Sequence, residues 1–203
     1  MAKLIGEDAI RENDASRASF CMQWSQWQLL DSILPTGGFA HSFGLEAAVQ
    51  TRLDLLLDAT LTNQVSSKAS ISQGSALFRI AASVFTEIPS LKMIRDASLG
   101  SKELRFHHAP IFGIVCGLLG MDAETSQRAY LFVTLRDVVS AATRLNLVGP
   151  MGASVMQHRI AVVAETVLEK WKDRDAGEAC QTSPLLDVVQ GCHGYLFSRL
   201  FCS

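Results

Sequence analysis

Ala109-Pro-Ile-Phe-Gly-Ile-Val-Cys-Gly-Leu-Leu-Gly-Met121 is the longest apolar run in the chain, 13 residues, and it holds Gly113, Gly117 and Gly120. A bilayer span needs roughly 20 apolar residues, so this run reads as a helix buried in a core. Pro110 at a first helical position opens it. Asp122 follows as the N-cap of a longer helix carrying Tyr130, Val133, Val138 and Leu145, which Gly149-Pro150 breaks.

Outward from this pair the pattern stays helical. Toward the C-terminus, Gly152 to Arg174 reads as a further helix, and Ser183-Pro184 starts a short last one that Gly191 and Gly194 end. Toward the N-terminus, Leu91 to Ala97 is a short helix closed by Gly100, and Pro89 separates it from Val65 to Phe85, with Ile71, Leu77, Phe78, Ala81 and Phe85. Before that, a helix from near Ser42 carries the stripe Leu45, Val49, Leu53, Leu56 and Thr60. Trp24, Trp27 and Leu30 keep helical spacing until Pro35. Pro35-Thr-Gly37-Gly38 is a tight structural turn. No hairpin dipeptide and no sustained strict alternation occurs. The expected class is all-α: a single-domain bundle of about seven to eight helices over 23–203, after a polar, disordered tail over 1–22.

Composition narrows the function. The chain has 203 residues, 48% hydrophobic and 19% charged, enough for one domain with a real core. Its net charge of −2 offers no basic excess for nucleic acid or an anionic membrane. Met1 to Ser19 alternates acids, bases and small residues, so neither a secretory signal nor a transit peptide is expected. The protein should be cytoplasmic, its five cysteines thiols. From Gln23 to Gln50 the only charges are Asp31 and Glu46, which points to burial or an interface.

Catalytic machinery is hard to assemble from these residues. The histidines are His41, His107, His108, His158 and His193, with no i, i+4 pair. Adjacent side chains diverge, so His107-His108 is expected to be structural or on the surface. The cysteines lack a Cys-x-x-Cys; Cys116 reads as a core thiol, and Cys180, Cys192 and His193 make at best a weak soft-metal set. There is no phosphate loop and no nucleophile elbow. Arg136, Arg144 and Arg159 stand in helices, and Arg144, in a neutral stretch, is a candidate for a buried or interfacial ion pair. The ending Gly194-Tyr-Leu-Phe-Ser-Arg-Leu-Phe201 is rich in interface-anchor types, and either docks on its own domain or enters a partner.

Leu29-Leu-Asp-Ser-Ile-Leu-Pro-Thr-Gly-Gly-Phe-Ala-His-Ser-Phe-Gly-Leu-Glu46 closely resembles the N-terminal signature of the urease accessory protein F family, through His41, Ser42, Gly44, Leu45 and Glu46. Residues 69–80, the block 107–160 with Val139-Ser-Ala-Ala-Thr-Arg144-Leu-Asn-Leu-Val-Gly149, and Tyr195 to Ser203 resemble further family segments in the same order, most like plant members.

The resemblance implies an all-α adaptor without a catalytic site or cofactor. It implies a homodimer that binds accessory protein D (also called H) and, with it, recruits the nickel-carrying GTPase, accessory protein G, to apo-urease. Tyr195, Phe197, Arg199, Leu200 and Phe201 are the partner-binding residues it suggests. One departure stands out: family members carry a further helix or two where Thr51-Arg52-Leu53 here runs straight into Asp54, so the chain resembles a shortened form, such as a splicing product. The surviving stripe lets one continuous helix form across that junction. The rival readings are an α-helical metal-dependent enzyme using His107, His108 or His193, and a truncated isoform impaired in assembly.

Overall fold

A computed structural model of the chain describes Gln26 and residues 45–98, 104–180 and 183–201. Seven α-helices have described bounds: α1 (Leu45–Thr60), α2 (Gln64–Val84), α3 (Pro89–Ser98), α4 (His108–Leu118), α5 (Ala123–Arg144), α6 (Pro150–Trp171) and α7 (Pro184–Gly191). Short 3-10 turns lie at Ala176–Glu178 and Cys192–Tyr195, and no strand occurs among the described residues. The class is all-α, as the periodicity predicts.

Punctuation explains the boundaries. Asn63 caps α2 by accepting from the Val65 N–H at 2.9 Å. Asp122 caps α5, accepting from the N–H of Thr125 at 2.8 Å and from its hydroxyl at 2.9 Å. Gly149-Pro150 ends the turn after α5 and opens α6 with Pro at N1. Gly120 has φ 72°, which lets the chain reverse between α4 and α5. Helix α1 runs unbroken across the Arg52–Asp54 junction. Boundaries differ from the sequence reading by a few residues: α4 starts at His108, so Pro110 is its third residue rather than its first; α3 starts at Pro89 itself rather than at Leu91; and α6 spans Pro150–Trp171 rather than Gly152 to Arg174.

Helix α4 is the centre. Its Ile111, Phe112, Val115 and Cys116 meet Leu77, Phe78, Ala81 and Ala82 of α2, Phe85 just past its end, Leu91 of α3, and Ala129 and Val133 of α5 in one buried cluster. Helix α6 packs on α5, α7 packs against α2, and α1 crosses α4. The run Ala109–Met121 is buried on one side only: Gly113 and Gly117 are exposed on the other. The side chain of Gln26 donates to the Leu119 carbonyl at 2.6 Å, placing that residue at the C-terminal end of α4.

Candidate partner-binding surface

A buried polar junction holds the frame on which the surface is built. Asp54 of α1 is fully buried. Its Oδ2 accepts from the backbone N–H groups of Arg105, at 2.6 Å, and Phe106, at 3.0 Å; its Oδ1 accepts from that of His107 at 2.8 Å. One carboxylate thus satisfies three donors at the start of α4, where the helix dipole also favours a negative charge. Phe106 sits in the left-handed region, φ 65°, a conformation that costs a bulky residue roughly 1–2 kcal/mol. The Asp54 bonds and a stacked contact of its ring with Phe78, centroids 5.4 Å apart, hold it there.

His107 and His108 diverge, as expected of neighbours, but neither lies on the surface. His107 is fully buried, its Nδ1 3.1 Å from the Ser70 hydroxyl and its Nε2 3.2 Å from Asp58 Oδ1. The same Ser70 oxygen accepts from the His108 N–H at 3.1 Å. His108 points the other way, its ring against Phe112 and Tyr130. Burial lowers its pKa from the ordinary 6.5, against the opposing pull of the Asp137 charge. Cys116 is a core thiol, pushed up to about 12 by burial. Ser70, His107 and Asp58 have the order of a hydrolytic triad, yet the imidazole has no exposed surface from which to reach a substrate. Cys180 and Cys192 are exposed, and no three His, Cys, Asp or Glu side chains gather as a metal set among the described residues.

The C-terminal segment attaches to this frame through few bonds. The Asn63 side chain, besides capping α2, donates to the Asp187 carbonyl at 2.7 Å, and the Ser66 hydroxyl bonds the Gln190 side chain. Beyond α7, Arg199 donates from Nη2 to the Gly194 carbonyl at 3.2 Å and from Nε to that of Leu196 at 3.5 Å. Tyr195 and Leu200 stand out into solvent, and Phe197 is 107% exposed. Phe201 is half-buried, and Arg144 lies 5.9 Å from its ring centroid. Phe201 docks on the end of α5, while Tyr195 to Leu200 are exposed. Arg144 is exposed rather than buried, and among the described residues it forms no ion pair; its contact there is the cation–π approach to Phe201.

Apolar exposure continues elsewhere. Leu185, Leu186, Val188 and Val189 of α7 are exposed. On α6, Met151 is 80% and Val162 76% exposed, with Val155 and Val163 beside them. Arg128 clamps α6 to α5 through both Glu165 oxygens, at 2.7 and 3.0 Å, and bonds Glu124 at 2.9 Å. That clamp holds both carboxyls below the usual carboxylate range. Residue patterning missed Asp54, an acid inside a leucine-rich helix; that misplacement was its one sequence signal. It also missed the bare face of α6. Pro35, Gly37, Gly38, His41, Ser42 and Gly44 lie outside the described residues, and Leu45 and Glu46 open α1.

The fold and surface define a class: an all-α frame whose buried polar groups serve its own folding and whose exposed apolar and aromatic side chains are of the kind found at protein interfaces. The comparisons with known proteins give this class a family. The UreF family model matches residues 16–161, and the chain belongs to the urease accessory protein F family. It is 72% identical to urease accessory protein F of Arabidopsis thaliana, over 97% of this chain and 99% of the relative. It is 58% identical to the protein of the same name from Oryza sativa subsp. japonica, over 89% and 85%. A bacterial relative, urease accessory protein UreF of Paenarthrobacter aurescens, is 28% identical over 87% and 96%. The Arabidopsis alignment spans 238 positions against a chain of 203 residues, so at least 35 positions of that relative face no residue here. The relatives are named as accessories to an enzyme, and this chain is likewise not an enzyme.

Proposed function

We propose that this protein is a non-catalytic adaptor in urease maturation. With accessory protein D (H) it recruits the nickel-carrying GTPase, accessory protein G, to apo-urease, and it works as a homodimer in the cytoplasm. The observation that carries the reading is the bare aromatic ending, with Tyr195, Phe197 and Leu200 exposed beside the apolar face of α7. Aromatic and arginine side chains of this kind are the usual anchors of protein interfaces, where truncation often costs about 2 kcal/mol or more. Nickel is cargo in this scheme, handed between partners rather than kept by this chain. We place the missing residues of the family at the Arg52–Asp54 junction, where α1 closes over the gap as one helix.

Capture of the D and G partners on immobilised full-length chain tests the adaptor. Arg199→Ala and deletion after Tyr195 should each weaken capture by about tenfold or more while circular dichroism stays helical. Undiminished capture by both variants would overturn the assignment of the ending.

A further inference from the structure

A cleft of about 500 Å³ separates α2 from the C-terminal segment, and Lys68, Ser72, Gln73, His193, Gly194 and Arg199 line it. Its lining contains no Asp or Glu. Lys68 and Arg199 form no ion pair with any described residue, a state they share with several exposed cations; what sets them apart is that they line one cleft. Two cations of different segments thus converge, unneutralised, in a chain whose net charge is negative. Arg199 is oriented in advance, because its Nε and Nη2 donate to carbonyls of its own turn. A guanidinium has five donors, so the rest of the fork stays available. Ser72 and Gln73 are exposed and add neutral donors. Asp187 lines the neighbouring hollow, which Lys68 also borders, and is not part of this cleft's lining.

We propose that this cleft receives an Asp or Glu side chain from an acidic segment of a partner protein, with Lys68 and Arg199 pairing the carboxylate. The inference rests on the reading that the ending engages a protein. A protein segment is favoured over a small anion because the cleft adjoins exposed Tyr195, Leu196 and Phe197, which suit apolar neighbours of the acid. Lys68 is a point charge that tolerates an approximate fit, while the Arg199 fork sets direction.

The test is a fluorescence-anisotropy titration of the full chain with a labelled peptide alternating Glu and Leu, beside its Gln-for-Glu counterpart. The acidic peptide should bind about tenfold tighter, and that preference should vanish in Lys68→Glu and in Gln73→Glu but persist in Lys68→Arg. Equal affinity for the two peptides, or a preference unchanged in Lys68→Glu and Gln73→Glu, would overturn the proposal. Tighter binding of inorganic phosphate than of the acidic peptide would make this a small-anion site and overturn it equally. Partner capture separates the two readings. Capture that survives Lys68→Glu and Gln73→Glu removes the cleft and leaves the adaptor standing. Absence of capture by the unmodified chain removes the adaptor, and the peptide titration then judges the cleft alone.

Discussion

Asp54 shows how one side chain can decide whether two helices meet. Its carboxylate takes three N–H groups, that of His107 buried and those of Arg105 and Phe106 part-buried, and unpaired buried donors cost about 1–3 kcal/mol each. Asp54→Ala should therefore lower stability by roughly 3 kcal/mol or more in a denaturant titration, and Asp54→Asn by less, since one oxygen remains. An Ala variant as stable as the parent would show that the loop finds other acceptors. His108 makes a pH prediction of definite sign. Burial holds its folded pKa below 6.5, so the unfolded chain takes up the proton first as pH falls. Its contribution to stability is intact above pH 6.5 and is lost as pH drops below that value. Melting temperature should fall between about pH 7.5 and 5.5, and His108→Phe should flatten that slope. Neither role could be read from residue pattern alone. Asp54 acts on donors 51 to 53 residues away, and an acid among Leu53, Leu55, Leu56 and Leu57 gives no hint of where those donors lie.

Helices, by contrast, announce themselves locally. Asn63, Asp122 and Gly149-Pro150 each satisfy or remove orphan N–H groups within a few residues, so boundaries at α2, α5 and α6 follow from the chain itself. What stays hidden is which helix faces which. Gly74 of α2 is an example: a Cβ there would come 2.0 Å from the Phe106 carbonyl oxygen and 2.8 Å from the His107 carbonyl carbon. Backbone cannot yield as a side-chain tip can, so this glycine sets the distance between α2 and the start of α4. Gly74→Ala should cost about 2 kcal/mol, roughly 4–8 °C in Tm for a domain of this size. An unchanged melt would mean that the two elements part without penalty. The stripe Leu53, Leu56 and Thr60 on α1 is only half-buried, since α1 turns Asp54 inward instead. Hydrophobic periodicity assigned a helix there and misjudged its inner face.

At the scale of the molecule, the buried polar groups serve folding while much of the apolar surface stays open. The apolar face of α6 offers the surface for a second copy on the adaptor reading. Val162→Asp together with Met151→Asp should weaken self-association by about tenfold in analytical ultracentrifugation, with the melt little changed, because both side chains are already in solvent. Unaltered association would move the dimer contact elsewhere. In a cell lacking accessory protein F, this chain should restore less urease activity than the Arabidopsis relative, which has residues at the positions this chain lacks. Equal restoration would show that those residues are dispensable. The bond from Asn63 to Asp187 joins residues 124 apart, and Lys68 and Arg199 line one cleft across a similar span. During synthesis the early helices can therefore settle while α7 has yet to leave the ribosome. On the adaptor reading the acid-receiving cleft comes into being last, so a nascent chain would have no finished docking surface, and the fold would act as a clock that delays recruitment until the C-terminal segment has left the ribosome.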